Sequence, residues 1–148
     1  MKYFIYSIIG VVTIAVIAGF FIVGSPGDER ARRFDEQRVS DLQVIQNQIL
    51  SYWQNKGSLP DNLTDLRDDI SGFSIPQDPS PEATSTYSYI KKGDNTFSLC
   101  AIFVTSNYGL DVMEPHPIDY RGINSNWTHY SGKTCFDRTI DKDLYKQQ

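Results

Sequence analysis

His116, His129, Cys100 and Cys135 are the side chains of this sequence best suited to proton transfer, nucleophilic attack or metal binding. Neither histidine stands in a Gly-x-Ser-x-Gly or comparable nucleophile motif. With Asp111, Glu114 or Asp119 the two histidines offer ligands that suit zinc, but their spacing fits no standard site. Exposed loop histidines are the expectation. Asp111, Glu114, Asp119, Asn124 and Asn126 carry the oxygen ligands that calcium takes, without the Asp-x-Asp-x-Asp-Gly order of a calcium loop. A plain polar loop with no metal or other cofactor is expected there. Asn62-Leu63-Thr64 and Asn126-Trp127-Thr128 are glycosylation sequons, which also arise by chance. Acid, base and nucleophile groups do not converge in any nameable set, so the sequence points away from an enzyme.

The cysteines say more. Neither belongs to a Cys-x-x-Cys pair, and no second pair completes a zinc site. An even count in a small domain behind an apolar segment reads as one disulfide on the oxidising side of a membrane. Two buried thiols in a cytoplasmic domain form the competing reading. Closing the loop between Cys100 and Cys135 would contribute about 3–4 kcal/mol in the chain-entropy picture. Nearby, Trp127 and Tyr130 form a candidate partner surface, or else belong to the core.

The elements that must position these residues begin with an unbroken apolar run from Tyr3 to Val23. At 1.5 Å per residue it covers roughly 30 Å, the thickness of a bilayer's hydrocarbon core. A signal peptide has a shorter apolar region, about 7–15 residues, and an A-x-A-like site that is missing here. Residues 1–24 are therefore expected to be an uncleaved single-pass anchor, with the lipid bilayer as partner through 3–23. Flanking cations favour a cytoplasmic C-terminal side, since only Lys2 precedes the run while Arg30, Arg32, Arg33 and Arg38 follow it. The cysteine pair favours export. The expectation is a cytoplasmic-membrane protein whose C-terminal domain is extracytoplasmic.

Ser25-Pro26-Gly27-Asp28 is a helix start and Lys56-Gly57 a helix stop, which predicts one long helix over 25–57. Its charged first third, Asp28 to Arg38, reads as solvated. Val39, Leu42, Ile45, Ile49 and Trp53 then make one apolar core stripe, too short for a coiled-coil seam. Leu59, Leu63 and Leu66 share one face of a short helical turn started by Pro60. A hairpin follows: Tyr87 and Tyr89 alternate before the Lys92-Gly93-Asp94-Asn95 turn, and Phe97, Leu99, Ala101 and Phe103 alternate after it. Cys100 falls on the opposite face with Ser98 and Ile102. Residues 105–126 read as a long loop, 133–136 as a third strand, and 142–148 as a charged tail. This makes residues 58–141 one small α+β domain, with the long helix packed on an antiparallel sheet. A net charge of −4 and a pI near 5.0 exclude a basic nucleic-acid binder.

The order Gly57, Leu59-Pro60, Asp78-Pro79, Tyr87-Ser88-Tyr89 and Phe97-Ser98-Leu99-Cys100-Ala101 behind an N-terminal membrane helix resembles the type IV pilin and type II secretion pseudopilin architecture. Residues from about Phe34 to Phe103 look closer still to a family of small membrane-associated domains of candidate-phylum bacteria. That family's late motif is similar to Trp127-Thr128-His129, Gly132-Lys133 and Cys135-Phe136 here. The resemblance implies a pilin-like fold and an interaction or structural role, working through a protein partner or a second copy. A divergent minor pseudopilin is the alternative. True pilins carry a short basic leader ending in Gly, and a Glu that pairs with the neighbouring subunit's amine. This chain has Gly10 as its candidate cleavage glycine, no basic leader before it, and no acid between Tyr3 and Val23.

Overall fold

The computed structural model describes residues 2–23, 26–67, 72–80, 87–108 and 126–142. The chain divides into two compact units, Met1–Ala31 and Arg32–Gln148.

The first unit is built on helix α1, Lys2–Val23. Two aliphatic hydroxyls of α1 turn back on the helix itself. Ser7 Oγ donates to the Phe4 carbonyl and Thr13 Oγ1 to the Ile9 carbonyl, each at 2.8 Å, so both hydroxyls are absorbed by the preceding turn. Large apolar side chains such as Phe4, Val11 and Ile14 are exposed all round α1, so no core forms here. Among the described residues no helix is long and apolar enough to cross a membrane. The side chains described in α1 are those of 3–19, so the bilayer-spanning length of the run rests on the sequence.

In the second unit the principal helix is the C-terminal part of α2, Pro26–Lys56. Asp28 and Glu29 lie in the first turn of α2 and Lys56 in its last, each complementing the helix dipole. The helix stops where Gly57, at φ 70°, returns its N–H to the Trp53 carbonyl at 2.8 Å. Leu42, Ile45 and Ile49 are fully buried, with Val39 and Trp53 packed against their edges, so the expected stripe is the helical side of the core. Leu50 joins it.

The opposing layer is an antiparallel sheet of three strands in the order β1-β2-β3: β1 Ser88–Lys91, β2 Thr96–Phe103 and β3 Gly132–Thr139. In the connecting turn the N–H groups of Lys92 and Gly93 both reach the Thr96 carbonyl. Phe97, Leu99, Ala101 and Phe103 face the helix together with Phe136, which lies opposite Leu99. The molecule is thus α+β: a long helix against an antiparallel sheet.

Two expectations change in detail. Strand β3 runs past 136 to Thr139, because Arg138 occupies a core-facing position and hides the apolar alternation. The short turn is a 3-10 helix, Leu63–Leu66, that starts after Asn62 rather than at Pro60. There the Asp65 carboxylate accepts the N–H groups of Asp61 and Asn62. Pro60 is buried and its carbonyl accepts the Tyr89 hydroxyl at 2.9 Å. Of the expected 105–126 loop, the segment 109–125 with Asp111, Glu114, His116, Asp119 and Asn124 lies outside the described residues, as does most of the 142–148 tail.

Candidate functional site

The stretch read as a solvated helix face contains a densely bonded, buried polar group. Asp35, Arg38 and Asp41 recur every three residues on α2, next to the apolar stripe, and all three are buried. Arg38 donates to Asp35 Oδ1 at 2.7 Å and grips Asp78 with two parallel bonds of 2.8 Å. Asp35 also accepts the backbone N–H groups of Val104 and Thr105 and the Thr105 hydroxyl at 2.7 Å. Helix, β2 exit and the 72–80 segment are therefore fastened at one point. Burial pushes the Asp78 carboxyl up, but the Arg38 bonds, the Ser80 N–H and the Arg38 charge outweigh it and hold the group below its ordinary value. The Asp78 hydrogen bonds lead the effects that raise Arg38 above its own ordinary value, against the pull of burial. One turn on, Asp41 accepts the Tyr87 hydroxyl at 2.5 Å and the Gln37 amide at 2.8 Å. Burial, then this bond, raises the Tyr87 phenol far above its usual value.

A second buried cation sits on β3. Arg138 donates to Gln46 Oε1 at 2.6 Å and to the carbonyls of Asp137 and Asn126. Its guanidinium lies 4.2 Å from the centre of the Trp127 ring. Burial brings it down to about 10, with the Asp137 charge opposing. Trp127 itself is 8% exposed and packs on Phe136. Of the two expected partner residues it belongs to the core. His129 is buried too, stacked on Phe103 at 3.7 Å, which corrects its expected place in an exposed loop.

Tyr130 differs. It is 58% exposed and stacks on Tyr108, itself 65% exposed, with ring centres 4.9 Å apart. The sheet face turned away from α2 is also accessible in part, through Ile90 and Ile102. Cys100 and Cys135 lie on that face, directly opposite each other in the β2–β3 register, and are joined as a disulfide with Cα atoms 4.0 Å apart. Cys100 is 1% exposed, whereas Cys135 is open to solvent. A cavity of about 190 Å³ opens beside Cys100, with Ser88, Ile102, Lys133, Tyr87 and Asp78 among its walls. Next to the disulfide on the same face, Lys92 pairs with Asp137 at 2.7 Å, and Ser98 bonds the same carboxylate.

Chemically, the carboxylates of the polar band already receive strong donors, which suits them to fastening rather than to proton transfer. Among the described residues, no three His, Cys, Asp or Glu side chains cluster as metal ligands. Among the described residues the disulfide is the reactive bond, and the tyrosine pair and the outer sheet face are accessible recognition groups. Sequence reasoning identified the cysteines and Tyr130 but missed Tyr108 and the Asp35–Arg38–Asp78 cluster. The three-residue spacing of Asp35 and Arg38 was a usable signal, and Asp78-Pro79 already stood out as a motif. No family model, curated protein or solved structure matches the chain.

Proposed function

We propose that this chain is a single-pass, membrane-anchored interaction or structural module of pilin-like architecture, without catalytic activity, that holds its α+β domain outside the cytoplasmic membrane. The observation that carries this reading is the Cys100–Cys135 disulfide, because such bonds persist on the oxidising side of a membrane. The apolar run Tyr3–Val23 supports the anchor, since a helix of this kind has no stable place in water. Its partner would be recognised through the Tyr108–Tyr130 stack and the apolar positions Ile90 and Ile102. The test is thiol labelling of intact cells with a membrane-impermeant maleimide, with and without prior reduction. Labelling that appears only after reduction is the expected result. Cysteines that label only after lysis, and without reduction, would place the domain in the cytoplasm and refute the proposal.

A divergent minor pseudopilin is the second reading, favoured by a long helix lying against an antiparallel sheet. N-terminal sequencing of the mature chain separates the two. A first residue directly after Gly10 supports the pseudopilin, and an intact Met1 or Lys2 start supports the anchored module.

A further inference from the structure

We infer that the outer sheet face is a thiol-exchange site, at which a small external thiolate attacks Cys135 Sγ and Cys100 departs as the leaving thiolate. Three observations converge on this direction of attack. First, the two sulfurs differ in access: Cys135 is solvent-exposed and Cys100 is 1% exposed, so an incoming sulfur reaches Cys135. Second, the place where Cys100 would carry its charge holds groups that stabilise a thiolate. Ser88 stands opposite Cys100 on β1, and Lys133 lies one diagonal step away on β3. Ser88, Lys133 and Cys100 line the same cavity, so a hydroxyl-bearing and an ammonium-bearing side chain border it, and the Asp78 that lines it too is held by two bonds to Arg38. Third, the cysteines are held opposite one another by eight register pairs of β2 and β3, so the reduced sulfurs remain neighbours without the bond.

The chemistry balances without any further reagent. An external RS⁻ forms a new S–S bond to Cys135 while the Cys100–Cys135 bond breaks and its electron pair leaves on Cys100. A second RS⁻ then attacks the R sulfur of the mixed disulfide, releasing the Cys135 thiolate and RSSR. Two thiols are oxidised as the protein disulfide gains two electrons. Lys133 acts here as a positioning and charge-stabilising residue, since a leaving thiolate of lower pKa departs faster. Nothing in this inference depends on which side of the membrane holds the domain.

The experiment uses the full chain in detergent, oxidised, with glutathione as the probe. Reaction is quenched with N-ethylmaleimide, and both cysteine peptides are read by mass spectrometry. The expected intermediate carries glutathione on Cys135 and maleimide on Cys100. Lys133→Ala should slow its formation several-fold, since a leaving thiolate of higher pKa departs more slowly. Lys56→Ala, in the exposed last turn of α2 and so in the other layer, should leave the rate unchanged. Glutathione on Cys100, no mixed disulfide at all, or a Lys133→Ala rate equal to wild type would each overturn the assignment. Equal urea midpoints for the oxidised variants and wild type confirm that the rates compare folded proteins.

Discussion

Arg38 brings a charge to a place where its side chain keeps 4% of its exposure, and it does so between two carboxylates as deeply covered. Taking an ion pair out of water costs more than its attraction returns unless the remaining donors and acceptors are matched, and here they are. Arg38→Ala would leave Asp35 and Asp78 uncompensated. A loss of about 3–5 kcal/mol is expected in urea unfolding, the usual result of breaking a buried pair from one side. The same cluster sets an acid limit. Asp78 has a folded pKa below its ordinary value of 3.8, so its contribution is complete above that value and disappears as pH falls through the lower folded pKa. Urea midpoints measured downward from pH 5 should therefore decline steeply below about pH 4 in wild type and less steeply in Asp78→Asn. Equal slopes would show that Asp78 gains nothing from Arg38.

At the scale of elements, the long helix acts through one face. Ile45 is fully buried and its neighbour Val44 is 44% exposed. Ile45→Ala should cost about 2–5 kcal/mol by lost transfer and an unfilled cavity, while Val44→Ala should stay within about 0.5 kcal/mol. Chemical denaturation of the two variants side by side checks the helix face directly. Such periodicity is why most of the fold could be read from the residues: Leu42, Ile45 and Ile49 repeat at helical spacing, and Phe97, Leu99, Ala101 and Phe103 fall at every second position. The reading failed where polar residues are buried. Asp35 and Arg38 looked solvated because charge is normally outside, and their partners distant in sequence, Val104 and Thr105 for Asp35 and Asp78 for Arg38, explain their position. Arg138 ended the alternation of β3 early for the same reason, its burial being made tolerable by Gln46 and the Trp127 ring. Trp127 and Tyr130, three residues apart, could not be separated by type, and it took the packing of Phe136 and Tyr108 to divide them.

For the domain as a whole, the disulfide spans 35 positions of sequence and so restricts the unfolded chain considerably. Reduction, or Cys100→Ser, should lower stability by about 3–4 kcal/mol, read as a shift of the urea midpoint between oxidised and reduced protein. An unchanged midpoint would mean that the reduced chain stays as compact as the oxidised one. The strand order has a kinetic consequence as well. The central strand meets β1 through the short 92–95 turn, but it must find β3 across the whole of 104–131. Non-local pairing of this kind makes folding slow, because the chain must close a long loop before the contacts form. An intact cross-link at Cys100 and Cys135 marks the final register before the search begins, so a chain refolding oxidised starts with its rarest encounter already made.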